Sequence, residues 1–429
     1  MKPRILLVNP PIYDFAAYDF WLKPYGMLGV AGKLRGQADF MLFDYLNRLD
    51  SFMAGREQLK SDQWGRGRFY FEKIKKPEYL KNIPRYFRRF GLPRSLFEDF
   101  LESEKPFDFV FVQTTMTYWY PGVGEVIEDI RKFHPQAKII LGGNYATICS
   151  EHAKSLGPDF IIQGTNLEPL WKYLDITPDL NQSALWEIYK KLKVGILKLA
   201  DGCPFSCTYC SVPKVYGKFK PRSLEHSFNE LKLLYRLGVE NVAFYDDALL
   251  FEPEVVLIPF LEKVIRNKIK VNFHSPNALN ARFVTSKLAE LMVGAGFKTY
   301  YLGFESASSQ WQKQTGSKVF SEELTNAVEK LLAAGAEAAN ITAYQILGHP
   351  FIDIQELEES MRFVHSLGIL GMLADFSPIP GTPDGEYCRK WVNIDEPLMH
   401  NKTAFPVIMM GFDESNSLKD LQRQLNRTL

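Results

Sequence analysis

Val194-Gly195-Ile196-Leu197-Lys198-Leu199-Ala200-Asp201-Gly202-Cys203-Pro204-Phe205-Ser206-Cys207-Thr208-Tyr209-Cys210 decides the reading of this chain. Its first third is an apolar, β-branched run of the kind that forms a strand buried on both faces. Gly202 and Pro204 then keep the chain out of helix. Three of the five cysteines of the protein follow, spaced Cys-x3-Cys-x2-Cys, while Cys149 and Cys388 stand far away. At about 3.3–3.6 Å per residue even a straight loop holds these sulfurs within roughly 25 Å, and a folded one brings them to a single inorganic centre.

Composition bounds the alternatives. A chain of 429 residues has room for two or three domains with large cores. A net charge of +1 provides no global field for nucleic acid or anionic membrane. The apolar start Ile5-Leu6-Leu7-Val8 stops at Asn9-Pro10-Pro11, too short for a signal peptide and apt for a buried first strand. No stretch reaches the ~20 apolar residues of a membrane span. Clustered cysteines without a disulfide framework point to a reducing cytoplasm, with the cluster reserved for metal.

Outward from the cysteine loop, the chain alternates strand and helix in both directions. Upstream, strands are expected at 5–8, 40–43, 108–113, 138–141 and 160–163, with helices at 25–35, 122–134, 149–155 and from 168. This is an α/β pattern for an open, doubly wound, Rossmann-like sheet over 1–180. Residues 51–106 interrupt it with a basic, aromatic segment including Pro84-Arg85-Tyr86-Phe87-Arg88-Arg89-Phe90. That segment reads either as a clamp for phosphates or single-stranded nucleic acid, or as an ordered surface insertion with snorkelling side chains. Downstream, over 186–385, six strand–helix units are expected, short of the eight of a closed barrel. A partial (β/α)6 TIM-type barrel fits, with 386–429 as a C-terminal extension ending in a polar helix.

Thiolates suit zinc or an iron–sulfur cluster. Structural zinc is closed by four ligands, commonly in two paired motifs; here there is one x3 and one x2 spacing and no second pair. A [4Fe–4S] cluster takes four cysteines, so three leave one iron open. The loop follows the first barrel strand, at the face where barrels keep their chemistry.

Cys203, Cys207 and Cys210, with aromatic Tyr209 before the last, resemble the signature of the radical S-adenosylmethionine (SAM) superfamily. The resemblance implies a [4Fe–4S] cluster on these cysteines, with SAM chelated at the open iron and cleaved by one electron to a 5′-deoxyadenosyl radical. An electron donor such as flavodoxin or ferredoxin is then implied as a partner, in an anaerobe or microaerophile. Tyr245, Asp246 and Asp247 end the second barrel strand, where the superfamily meets the methionine amine; its usual double glycine is absent. Gly303-Phe304-Glu305-Ser306 is similar to the family's Gly-x-Glu-Ser strand end near the ribose, and Ile346, Leu347 and Gly348 to its adenine-packing segment. Pro378-Ile379-Pro380-Gly381-Thr382-Pro383 is similar to a sixth-strand ending among relatives. Ser275 ends the third strand beside His274. Asp246 and Asp247 also read as caps of the following helix, and His349 before Pro350 as a turn residue.

The first module has no Gly-x-Gly-x-x-Gly after its first strand and no Walker lysine, which disfavours dinucleotides and nucleoside triphosphates. An α/β module with a Gly-Gly after a late strand, placed before such a barrel, resembles the cobalamin-dependent radical SAM family. The resemblance implies cobalamin contacts at strand ends: Pro10; Thr114, Thr115, Met116 and Thr117; Gly142, Gly143, Asn144 and Tyr145; and Gly164. The first histidine is His134, so no histidine of the early strand–helix loop can ligate cobalt. The implied activity is a methyltransferase acting on an unactivated carbon of an unidentified substrate. Radical SAM rearrangement, cyclisation or oxidation is one alternative, and a zinc-stabilised RNA-binding protein another.

Overall fold

The computed structural model describes residues 2–56 and 61–429. The chain divides into two compact units, Met1–Lys193 with Asp395–Met399, and Val194–Ile394 with His400–Leu429.

In the first unit, strands β1 (Arg4–Asn9), β2 (Asp39–Asp44), β3 (Phe109–Thr114), β4 (Lys138–Gly143) and β5 (Phe160–Ile161) form one parallel sheet in the order β5-β4-β3-β1-β2. Counted along the chain this is 2-1-3-4-5, the doubly wound order whose direction reverses between β1 and β3. β1 lies inside the sheet, between β3 and β2, and Ile5, Leu6, Leu7 and Val8 are all fully buried and show no alternation. Leu6 and Val8 join Val110, Val112, Ile139 and Leu141 in one core layer. Helix Tyr120–Phe133 covers that layer with Val123, Val126 and Ile130.

The expected insertion is shorter than 51–106. Residues 94–103 form a helix of the fold, and its Phe97 and Leu101 sit in the same core layer. Phe97 and Leu101 are four apart, one helical turn, so they fall on one face. The preceding run of basic residues hides that pattern in the sequence. What remains includes a small antiparallel ribbon of Ile12–Asp14, Arg88–Phe90 and Phe71–Lys73, while 57–60 lie outside the described residues. Several of its arginines face inward. Arg89 forks onto Glu125 at 2.6 and 2.9 Å and also donates to Leu92 O. Arg48 pairs with Asp19, and Arg88 and Arg56 stack over Phe71 and Phe52. With Arg89 and Arg48 paired to carboxylates inside the unit and Arg88 donating to Phe15 O, these side chains support the ordered insertion rather than a phosphate clamp.

In the second unit, strands β6 (Val194–Leu197), β7 (Asn241–Phe244), β8 (Asn272–Asn280), β9 (Phe297–Glu305), β10 (Ile341–Leu347) and β11 (Leu370–Asp375) pair in parallel, each with the next. The sheet is an open barrel with β6 and β11 at its edges. The helix after β7, Leu257–Arg266, starts late because turns occupy the residues before it. Two short helices, Val212–Tyr216 and Ser309–Thr315, were not visible as periodic patterns; each is too short to show one.

The tail is part of this unit. Helix Phe412–Arg427 lies against β11, and Leu418 packs with Leu347, Leu357 and Met361. Asn426 accepts from Gly371 N–H at 3.0 Å and donates to Gly371 O at 2.9 Å. Its amide therefore stands in for a neighbouring strand at this edge. Among the described residues, no helix is long and apolar enough to cross a membrane.

The Arg89–Glu125 pair, with both side chains about 4% exposed, generates a stability prediction. Arg89→Ala should cost about 3–5 kcal/mol, because it strands a buried carboxylate. Arg89→Met with Glu125→Leu should recover most of that loss. Urea unfolding of the two variants measures the difference, and equal losses would contradict the assignment.

Candidate active site at the barrel mouth

The cysteine loop leaves β6 through a clamp made by β7. Asp246 follows the end of β7 and is buried, and its Oδ1 accepts from Leu199 N–H at 2.8 Å and Ala200 N–H at 2.6 Å. The carboxylate thus holds the start of the loop, not the next helix as a capping role would require. Burial pushes its pKa up to about 7, against the pull of the Lys198 cation. Lys198 lies 3.2 Å from Asp201 and 3.6 Å from Asp247. Gly202 has φ +72°, and a Cβ there would come within 2.5 Å of Lys218 O, so only glycine admits the turn.

The three loop thiols lie close enough that their charges couple. Burial raises all three, Cys210 to about 11. One cation opposes that rise at each of them: Lys318, whose Nζ donates to Glu305 Oε1 at 3.0 Å. Nothing in the local sequence marks Lys318; it lies beyond a short helix and only the fold brings it to the loop. Glu305 adopts φ +64°, a strained conformation for a residue other than glycine, and its buried Oε2 has no hydrogen-bond partner. Gly316 (φ +123°) closes the other side, where an added Cβ would sit 3.1 Å from Cys207 Cα. Among the described residues, no three His, Cys, Asp or Glu side chains converge on one ion position. Ligands of a cuboidal cluster bind different irons, so they surround a body rather than meet at a point.

The other expected residues divide. Tyr209 is half-buried, stacks on Trp311 at 6.0 Å between centroids, and hydrogen-bonds Cys207. Ser275 is buried beneath β9, 3.5 Å from Tyr301 N. His274 is a satisfied core residue, at 3.0 Å from both Thr299 Oγ1 and Asn241 Oδ1. Leu347 packs its side chain into the outer helical layer, leaving only backbone at the strand end, whereas Ile346 takes the opposite side of β10. Gly348 (φ +81°) is required by Pro406, 2.7 Å from where its Cβ would be. A groove lined by Glu358, Arg362, Asp413 and Asp420 lies between outer helices and contains none of these strand ends.

In the first unit, a crevice opens where the strand order reverses. It is lined by Asn9, Pro10, Pro11 and Ile12 after β1, and by Gln113, Thr115 and Met116 after β3. Of the expected contacts, Pro10, Thr115 and Met116 face it. Thr114 is committed elsewhere, donating to Gly142 O at 3.0 Å and accepting from Ala146 N–H at 3.1 Å. Gly143 (φ +118°) passes so near Thr114 O that a Cβ would lie 1.9 Å away, so the fold itself demands this glycine. Tyr145 is fully buried, with its hydroxyl 2.7 Å from His152 Nδ1, and Thr117 is buried too. Asn144 opens the helix Asn144–Ile148, and Gly164 N–H donates to Thr147 Oγ1.

A sequence profile of the Radical SAM superfamily matches residues 197–364. This span is a radical SAM domain. The match covers the barrel from β6 through the helix after β10, and such a domain takes a [4Fe–4S] cluster and SAM. An uncharacterized methyltransferase of Pyrococcus horikoshii is 27% identical over 222 residues, 48% of this chain and 47% of that protein. The ribosomal protein uS12 methylthiotransferase RimO of Clostridium botulinum is 24% identical over 247 residues, 55% of this chain and 53% of RimO. The chain spans about half the length of these curated relatives. Among solved structures, the radical SAM methyltransferase TsrM from Kitasatospora setae, with cobalamin and a [4Fe–4S] cluster bound, superposes with a TM-score of 0.66 at 12% identity. The match covers 91% of this chain and 78% of TsrM. The cobalamin-dependent SAM radical enzyme OxsB superposes with a TM-score of 0.57 at 15% identity, over 99% of this chain and 61% of OxsB. At these identities the likeness is one of fold: a Rossmann-like module followed by a radical SAM barrel.

The raised thiol pKa values set an expectation for metal-free protein. Less thiolate is present at any given pH than for a free cysteine, so iodoacetamide should label Cys203, Cys207 and Cys210 more slowly than a model thiol at pH 8. Labelling should accelerate as pH rises toward 11. Lys318→Met removes the opposing charge and should slow it further; faster labelling of that variant would contradict the placement of Lys318.

Proposed function

We propose that the chain is a cobalamin-dependent radical SAM methyltransferase that modifies an unactivated carbon. The observation that carries this reading is the crevice at the strand-order reversal of a doubly wound module joined to a radical SAM domain in one chain. Parts of its lining not buried in the fold, the exposed Met116 with the half-buried Gln113 and Thr115, offer one apolar and two polar side chains to the edge of a ligand. The likeness of fold to TsrM and OxsB supports it, as does the methyltransferase named in Pyrococcus horikoshii.

On this reading Cys203, Cys207 and Cys210 hold the cluster, which together with SAM supplies one-electron cleavage and hydrogen-atom abstraction. Cobalamin in the crevice would supply the methyl group. The residues of the chain then have separable tasks. Lys318 places a half-buried positive charge against three sulfurs that carry negative charge as ligands. Glu305 Oε2 is an unpartnered buried acceptor, suited to a ribose hydroxyl. Asp246 Oδ2, also unpartnered, and the nearby Asp247 offer acceptors to an ammonium group. Tyr209 walls the loop from solvent together with Trp311. The conditions are those of a cofactor enzyme, in which the protein positions and excludes water.

Anaerobic reconstitution with iron, sulfide and hydroxocobalamin tests the reading. About four irons per chain and a bound corrin spectrum are expected. Incubation with SAM and a reductant should yield S-adenosylhomocysteine alongside 5′-deoxyadenosine. Replacing Cys203, Cys207 or Cys210 by alanine should abolish iron binding and SAM cleavage, while Cys149→Ala leaves both intact. Bound iron and 5′-deoxyadenosine with neither corrin nor S-adenosylhomocysteine would overturn the methyltransferase and leave a radical SAM enzyme of another reaction.

A further inference from the structure

His349 is completely buried, and each of its ring nitrogens is committed. Nδ1 accepts from Trp311 Nε1–H at 3.2 Å and from Phe351 N–H at 3.3 Å. Two donors on Nδ1 leave the ring proton on Nε2, where it is donated to Asp384 Oδ2 at 2.9 Å. The same carboxylate oxygen accepts from Thr208 Oγ1–H at 2.6 Å, and Asp384 N–H donates to Thr208 O at 3.2 Å. Thr208 lies between Cys207 and Cys210. Trp311 in turn stacks on Tyr209, and the His349 ring meets Tyr209 edge-on at 6.3 Å. The middle of the cysteine loop is therefore gripped from two sides by one imidazole, through Asp384 and through Trp311.

We propose that His349 is a positioning residue for the metal-binding loop: it fixes Asp384 and Trp311 so that Cys207 and Cys210 are presented in one geometry. The inference rests on the reading of these cysteines as cluster ligands, yet the grip itself is a property of the protein alone. The network is chemically specific. It needs a group that accepts at one end and donates at the other, which imidazole and a glutamine amide both supply and an aliphatic side chain does not. Severing it leaves the buried Trp311 Nε1–H unpaired and Asp384 Oδ2 held by Thr208 alone, which loosens the loop more than the loss of packing alone.

The test uses His349→Ala, His349→Gln and Thr208→Val in the full chain. In metal-free protein, hydrogen–deuterium exchange over 203–210 should rise at least about fivefold in His349→Ala and Thr208→Val. It should stay within about twofold of wild type in His349→Gln, whose carboxamide accepts from Trp311 and donates to Asp384. In reconstituted protein, a ferrous chelator should strip iron at least about fivefold faster from His349→Ala and Thr208→Val, with His349→Gln again near wild type. Unchanged exchange and stripping in Thr208→Val would overturn the proposal, and so would a glutamine variant as labile as the alanine one. Should His349→Ala fail to fold, Thr208→Val decides, since it removes one hydroxyl and leaves the ring packed. If wild-type protein takes up no iron, the cluster reading fails, and the exchange experiment still tests the grip.

Discussion

A loop that must present three thiols cannot be held by a backbone ladder, because helix or strand geometry would fix the sulfurs in the wrong places. Its order has to come from side chains and from close backbone passages. Here Asp246 holds the entrance through Leu199 and Ala200, Asp384 holds the middle through Thr208, and Thr315 O accepts from Thr208 N–H at 3.2 Å. Gly202 and Gly316 allow neighbouring backbone to approach where a Cβ would collide. These holding groups come from the ends of β7, the region after β9 and the region after β11. The open barrel is thus the frame that brings distant carboxylates to one loop, and the strand order matters to the site for that reason.

The electrostatics follow from the same burial. Three thiols in a partly desolvated pocket resist ionisation, and Lys318 is the cation that opposes this. Lys318 is held in turn by Glu305, whose backbone is strained at φ +64°. Strain at a site persists only where surrounding structure over-determines it. Glu305 is so determined by pairing of β9 with β10, where the register shifts between Gly303 and Glu305. A bulge re-aims a side chain, and this one turns a carboxylate toward the thiols while leaving its second oxygen free.

Much of this was legible in the sequence wherever one local rule sufficed. Ile5 to Val8 reads as a buried parallel strand because every residue is apolar. The cysteine spacing reads as a cluster site because ligand chemistry is written in adjacent residues. Where the reading failed, the cause is a contact between residues far apart in sequence. The helix Arg94–Ser103 was hidden in a basic context, although Phe97 and Leu101 anchor it. Lys318, Trp311 and Asp384 acquire their roles only when four strand ends meet. His349 looked like a turn residue because its partners lie 38 residues before it and 35 after it.

The same logic separates the glycines of the first module from a ligand. Gly142-Gly143 resembles a signature for a bound ring, yet Gly143 is already required by Thr114 O at 1.9 Å from its would-be Cβ. A residue demanded by the fold carries no independent weight for a ligand. The crevice instead offers the half-buried Thr115 and the exposed Met116, while Pro10 beside them is buried. Met116 is 44% exposed. Left to water, that apolar surface gains nothing; covered by a large flat ligand, it contributes about 25 cal/mol for each square ångström buried. The strand-order reversal is why the crevice lies there, between the ends of β1 and β3.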